Sequence, residues 1–495
     1  MRSSATAARS TSFSRSTGTP RRRPSEEISP GRHPGTSLPD PSSPVRGSTS
    51  PGAPAVIGWV ADWLSYPAAF VMITGVVALL TLLAPVLRPA PASTPRKKEH
   101  SAPADRRPGA GTRAARLPAW TAAASRVYAP KRALGLSLRG RRMKFSTFHL
   151  FHRFDGQSFK DVYDHHLELI ELAEELGFDG VRLAEHHFRD YGVVPNLFTM
   201  LAHAAARTTR LRLGTGIVVL PLHDPIHVAE EAAQVDVLSG GRLDLGIGRG
   251  YQSVEFEGFG IDLAEARDRF NEALEVIVGL WTREAYQHEG KFYRTGAEVS
   301  LVPRPLQTPH PPLHVAAVSP ETVTMYAERG LPILADPAAT FRKVCAAAGT
   351  WRETAARAGH PDGAELVVAR SVYVAPTLEQ ARADQERFEA SFDRSRIFNE
   401  RSAPIDPKTG RAAQGFEYYQ DRYLKGGSVS AGFRWEQLEV IGDPARVIEQ
   451  ITLLRDAGFT NLLCDFGSTR PMPLEEMKRV MRFFAAEVMP AFRRF

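Results

Sequence analysis

Cysteine is nearly absent: Cys345 and Cys464 are the two in 495 residues. Two thiols cannot build a disulfide framework, and neither sits in the paired spacing that structural zinc sites use, so a disulfide scaffold and a zinc-finger protein are excluded. Acidic residues are scarce in the first part of the chain. Residues 1–142 hold 22 Lys and Arg against 6 Asp and Glu, a net of +16, whereas residues 143–495 hold 40 against 49, a net of −9. The formal charge of +7 therefore hides two pieces of opposite sign. Because the larger piece is acidic, nucleic acid is not an expected partner, since that needs a basic face on the folded domain. Large apolar side chains are almost missing from the first fifty residues. A stretch so rich in Ser, Pro, Arg, Gly and Thr cannot bury enough surface to offset chain entropy.

These absences divide the chain. Residues 1–62 read as a disordered extension. No charged residue occurs from Trp63 to Leu87, and PAAFVMITGVVALLTLLAPVL has the length, about twenty residues, that crosses a bilayer core as a helix. Residues 63–88 are thus a candidate single-pass transmembrane helix, with a buried helix as the alternative, and any membrane contact would run through this segment alone. Arg88, Arg96, Lys97 and Lys98 follow it closely, which places the remainder in the cytoplasm by the positive-inside rule. Residues 89–142 form a Pro/Ala/Arg-rich linker.

From Met143 onward short β-branched runs alternate with helical periodicity. KFSTFHLF precedes a helix over Phe159–Leu176, DGVRLAEH one over Leu197–Arg207, LRLGTGIVVLP one over Ile226–Leu238, and RLDLGIGRG one over Ala264–Trp281. The pattern continues with PPLHVAAVS and Glu321–Arg329, LPILAD and Ala339–Ala358, ELVVARSVYVA and a helix after Thr377, and NLLCDFG before Glu475–Phe484. Near-continuous apolar strands separated by amphipathic helices imply a parallel sheet covered by helices. Eight such pairs predict an α/β fold closed into a (β/α)8 TIM barrel over 143–495, with an open doubly wound sheet as the alternative. Residues 285–310 and 390–440 exceed a minimal barrel and are expected as insertions at its C-terminal mouth.

Barrel chemistry sits at the C-terminal ends of strands. The second predicted strand ends in Glu185-His186-His187. A metal fragment is one reading of these residues, but adjacent histidines at a strand tip diverge and spacing assigns no third ligand. An imidazole there titrates near neutrality and can act as acid or base. His223 and His227 are four apart, but Pro225 between them marks a helix start. GIGRG at 246–250 invites a dinucleotide reading, which fails because Tyr251 stands where the third fingerprint glycine is required. What remains is a glycine-lined strand end with a fixed cation, Arg249, suited to a phosphate. Ser319, Pro320 and Thr322 open a helix whose free N–H groups favour the same anion, unless Ser319 is only a cap.

With these residues in place, LAEHHF, GTGIVVLPLHDPIHVAEEAAQVDVLSGGRLDLGIGRGY, GLPIL, EVIGDP and EVMPAF, in order and correctly spaced from Met143 to the C-terminus, resemble the bacterial luciferase-like flavin monooxygenase family. The resemblance implies a barrel that binds reduced FMN, activates O2 and oxidises an aldehyde, ketone or other small organic molecule. It puts catalysis on His186 and the cofactor contacts on Glu185, Gly216, Arg249, Gly250, Val318, Ser319 and Thr322, with no metal. Val318 and Gly248 replace a phosphate-site glutamate and a reactive cysteine of light-emitting members, so luminescence is not expected. The chain has no dinucleotide fold of its own, so a separate flavin reductase is the expected partner, and a homodimer is compatible with the family. Phe148, Phe188, Phe198, Tyr251 and Phe256 are candidates for an apolar wall, and 251–262, 285–310 and 390–440 for specificity. A deazaflavin-dependent hydride transferase and a non-catalytic flavin-binding subunit are the alternatives. Because the resemblance starts at Met143, residues 1–142 are expected to be dispensable.

Overall fold

The computed structural model describes residues 142–360, 363–391, 411–412, 430–468 and 470–493. The predicted extension, the apolar span at 63–88, the linker apart from Arg142, and most of 390–440 lie outside the described residues. No helix among the described residues is long and apolar enough to cross a membrane.

Ten strands are described in chain order: β1 Lys144–His149, β2 Gly180–Leu183, β3 Arg212–Thr215, β4 Val218–Val219, β5 Leu243–Gly248, β6 Leu313–Ala316, β7 Ile333–Ala335, β8 Val367–Val374, β9 Val440–Gly442 and β10 Asn461–Asp465. Eight of them close a ring in the order β1, β2, β3, β5, β6, β7, β8, β10, with β10 returning to β1 through Lys144↔Asn461 to Thr147↔Cys464. Every pairing in the ring is parallel. The closed barrel expected from the sequence is therefore present, and the open sheet is not. The two short strands β4 and β9 sit on the upper ends of β5 and β8.

The helices are α1 Phe159–Glu175, α2 Leu197–Arg207, α3 Pro225–Leu238, α4 Ser253–Phe259, α5 Ala266–Thr282, α6 Pro320–Glu328, α7 Phe341–Arg357, α8 Leu378–Ser391, α9 Ala431–Gln437, α10 Pro444–Ala457 and α11 Leu474–Glu487. Local chemistry sets their starts. Ser158 and Asp161 form a reciprocal capping box on α1, Asn196 caps α2, and Asp224-Pro225, Ser319-Pro320 and Asp443-Pro444 pair a side-chain cap with a proline in the first turn. These devices satisfy N–H groups that the helix itself leaves unbonded. The predicted helices fall within two residues of the observed ends where both were given, except at the end of α11, which runs on to Glu487. Helices α4, α9 and α10 were not anticipated.

Side chains two apart on a strand share a face, so the interior can be followed upward. Near the bottom the buried Arg182 guanidinium bonds the Thr215 carbonyl at 3.2 Å and His314 Nδ1 at 3.2 Å, with Asp244 at 3.7 Å. Burial, reinforced by the Arg182 charge, lowers His314 to about 4, so its imidazole stays neutral and accepts at Nδ1. Above this layer Leu334, Val367, Ala369 and Leu463 pack with Phe148 and Ile217 into an apolar plug. The interior is filled below and polar again at the mouth.

The insertion at 285–310 corrects the expectation in part. It follows α5 and precedes β6; Gln307 bonds Asp236 and the Leu243 carbonyl at the start of β5, at the N-terminal end of the barrel, whereas the turn at 288–293 packs on the outside against Arg269 and Glu272 in the first half of α5. Helices run back antiparallel to the strands, so a segment after a helix is delivered to the bottom face. The described part of 390–440 does reach the mouth, because β9 extends the top of β8 through Val372↔Val440 to Val374↔Gly442.

Candidate active site

The tip of β2 carries three polar residues with divided tasks. His186 Nδ1 lies 2.8 Å from Glu255 Oε1 and 2.7 Å from Gln252 Nε2. An imidazole nitrogen serves one such partner at a time, and the carboxylate is the stronger acceptor for an N–H. Glu255 is almost fully buried and its Oε1 also accepts the His187 amide at 3.1 Å, which fixes it relative to the strand tip. Gln252 is held in turn by Arg189, which donates to its Oε1 at 2.8 Å. With Nδ1–H committed to Glu255, the basic nitrogen of His186 is Nε2. Sequence reasoning missed Glu255 and Gln252, because no spacing rule links a strand tip to a helix 69 residues later.

Glu185 and His187 form a second unit. Glu185 Oε1 accepts from His187 Nε2 at 2.9 Å and from His223 Nε2 at 2.8 Å, while Oε2 accepts the Val219 amide at 3.1 Å. Burial raises the cost of its charge, but the bonds from His187 and His223 outweigh that and hold Glu185 down at about 2. Burial likewise opposes a charge on His223, yet Glu185 raises its pKa above the ordinary value. The donor atoms of these three residues lie within 4.8 Å of one another, so the structure supplies the third potential ligand that spacing did not. The observed separations are those of N–H···O bonds from both imidazoles to one oxygen. Glu185 is expected among the cofactor contacts; in this structure its carboxylate is engaged in this clamp. His223 precedes α3, whose start at Pro225 matches the helix-start reading of this stretch.

The residues expected to hold an anion follow β5 and β6, two and three strands round the ring from β2. β5 and β6 are neighbours with Ile247↔Val315 in register, so Arg249 and Ser319 follow adjacent strand tips. Burial raises the pKa of Tyr326 in α6, opposed by the Arg249 charge. Ser319 Oγ caps α6 by accepting from the Thr322 amide at 3.4 Å and donates to Thr322 Oγ1 at 2.9 Å. Val318 lies just before this cap, partly buried. Gly250 has φ +72°, a conformation that favours glycine, and a Cβ there would meet Val219 Cγ1 at 2.5 Å. Gly216, joined to Ile217 by a cis peptide, lies against Phe148, and a Cβ on Gly248 would meet Ile217 Cδ1 at 2.1 Å. Of the aromatic wall, Phe148 is in the plug; Phe198 and Phe256 are buried in packing clusters, Tyr251 lies partly buried beside Phe256, and Phe188 is exposed against Phe259.

A mouth with an apolar central floor, a carboxylate-held histidine on one strand tip, and an arginine and a hydroxyl-lined helix start two and three strands on suits a planar cofactor that carries a phosphate. Fold and site together define a cofactor-dependent barrel oxidoreductase. The chain belongs to the luciferase-like monooxygenase family, whose profile matches residues 143–461, and it is a flavin-dependent monooxygenase. It is 30% identical over 361 residues to the oxygenase component of a flavin-dependent trigonelline monooxygenase from Acinetobacter baylyi, covering 71% of this chain and 96% of that one. Among solved structures it is similar to the monooxygenase RslO1 of Streptomyces bottropensis, with 31% identity, a TM-score of 0.59, and coverage of 71% and 100%. The coenzyme F420-dependent tetrahydromethanopterin reductase of Methanopyrus kandleri shares the fold at 20% identity and a TM-score of 0.53, over 71% of this chain and 100% of that one.

Proposed function

We propose that this protein uses reduced FMN, delivered by a separate reductase, and O2 to oxidise a small organic substrate such as an aldehyde or ketone, without emitting light, as a homodimer in the cytoplasm. The observation that carries this is His186, fixed at the mouth by Glu255 and Gln252, with Arg249 and the Ser319–Thr322 helix start two and three strands round the ring. In this reading Arg249 and the α6 N-terminus would hold the phosphate, and the ring system would lie on the plug formed by Phe148, Ile217, Leu334, Ala369 and Leu463. Reduced FMN bound there would supply the electrons that activate O2. The chain's own part is then to exclude water with that floor and to handle one proton. Glu255 keeps the His186 proton at Nδ1 and leaves Nε2 free to take or return a second one at the reacting centre.

The barrel is shared with deazaflavin enzymes, so the fold does not choose between cofactors; the monooxygenase names of the relatives at 30% and 31% identity support the oxygen-using reading. Mass analysis of products formed from photoreduced FMN under 18O2 decides it, because a hydride transferase would put no oxygen atom from O2 into its product. Two further outcomes follow. A chain begun at Met143 should stay soluble and bind FMN, and its aggregation while the full chain folds would tie residues 1–142 to the fold. Arg249→Ala should weaken FMN more than riboflavin, by about 1.5–3 kcal/mol, the worth of a charge-assisted contact. Equal losses for the two ligands in fluorescence titrations would place Arg249 away from the phosphate.

A further inference from the structure

We infer that Asp465, with Ser468 beside it, is the specificity-determining residue of the mouth and that it binds a hydroxyl group of the substrate, an inference that rests on the flavin reading above. Asp465 ends β10. Leu463 of that strand faces the apolar plug, as do Val367 and Ala369 of β8. Asp465 is two residues beyond Leu463 and pairs in register with Ser371, itself two beyond Ala369, so both rise from the interior face into the layer above the plug. The position is that of a catalytic barrel residue, at the C-terminal end of a strand and 6% exposed.

Its hydrogen bonds leave one oxygen uncommitted. Oδ1 accepts the Gly467 amide at 3.2 Å and the Ser468 amide at 2.8 Å. Among the described residues no donor lies at hydrogen-bond distance from Oδ2, and the hydroxyl of Ser468, 3% exposed, also lacks a partner. The nearby cation is already engaged: Arg470 donates to Ser371 Oγ at 2.5 Å and to Glu439 Oε2 at 2.7 Å. Burial raises the Asp465 pKa, opposed by the Ser468 amide and the adjacent Ser468 side chain, the Arg470 charge and the Gly467 amide. A buried acceptor and a buried hydroxyl left open side by side carry a desolvation cost that a bound group can remove. A substrate hydroxyl fits both, donating to Asp465 Oδ2 and accepting from Ser468 Oγ.

Ring order says that substrate, and not cofactor phosphate, reaches them. The β10 tip is two strands from the β2 tip that carries His186, about 10 Å around the ring at the usual strand spacing. Arg249 and Ser319, following β5 and β6, are four and three strands from β10, on the far side from Asp465. A small molecule could then be anchored by its hydroxyl at Asp465 while its reacting carbon lies toward His186.

The test uses calorimetric titration of the full-length, FMN-loaded protein with matched probes: 4-hydroxycyclohexanone against 4-methylcyclohexanone, and 4-(hydroxymethyl)benzaldehyde against 4-methylbenzaldehyde. In at least one pair the hydroxylated probe should bind tenfold or more tightly, the range of a bond to a charged group. Asp465→Asn keeps a carbonyl for the two amides but turns an N–H2 toward the mouth, and should bring that preference within twofold while FMN affinity stays within twofold. Ser468→Ala should lower it severalfold, and it decides the matter if Asp465→Asn does not fold. No preference in either pair, a preference that survives both substitutions, or an FMN loss larger than the probe loss would overturn the assignment. Failure of the wild type to bind FMN at all would instead remove the flavin reading on which it stands.

Discussion

His186→Ala should leave FMN binding within a few-fold and cut substrate oxygenation by about 10²–10⁴, the usual worth of a positioned proton-transfer group. Binding survives because the phosphate contacts lie on β5 and β6, two and three strands round the ring from β2, and His186 is expected at the ring system and not at the phosphate. Oxygen consumption should continue, with the electrons leaving as hydrogen peroxide in place of oxygenated product. Stopped-flow absorbance combined with peroxide detection separates the two routes. Glu255→Gln provides the partial version: the ring stays in place but loses the charge that holds its Nδ1 proton, so kcat should fall less than in the alanine variant and KM should hardly move. Coupled turnover near wild type in His186→Ala would make this histidine structural and shift the proton role to another group at the mouth.

Glu185→Gln should be the most destabilising conservative change at the site. A carboxylate held at about 2, against 4.5 in the unfolded chain, contributes about 3 kcal/mol at neutral pH. The sign is set by the direction of each shift. Glu185 is depressed on folding, so its contribution is complete above 4.5 and is lost as pH falls toward 2. His223 is raised, so its contribution is complete below 6.5 and fades as pH climbs through its higher folded value. The gap between wild type and Glu185→Gln in urea midpoints should therefore be widest at pH 5–6 and shrink on both sides. A gap that stays constant from pH 3 to 9 would mean that the Glu185 bonds do not depend on its charge. Because the clamp supports the strand tip that carries His186, the variant should also lose oxygenation when still folded.

The sequence by itself determined the elements of this protein and the outline of its site. Alternation of apolar runs with helical periodicity, and caps such as Asp224-Pro225 and Ser319-Pro320, are signals written within about twenty residues, so eight strand–helix pairs could be recognised and a barrel inferred. His186, Arg249, Ser319 and Thr322 were legible for the same reason: each belongs to a strand tip or a helix start, and in a barrel those places face the mouth. Ring closure decided the rest. His186 meets Glu255 across 69 residues and Glu185 meets His223 across 38, contacts that exist only once β2, β3 and β5 stand side by side. The same closure drew Glu185 into a clamp with His187 and His223, brought Gln307 to the bottom face, and lifted Asp465 to the mouth beside Ser371. Periodicity along a chain fixes which face of an element is buried, but which side chains share that face with it depends on strand order and register, and those are properties of the assembled ring.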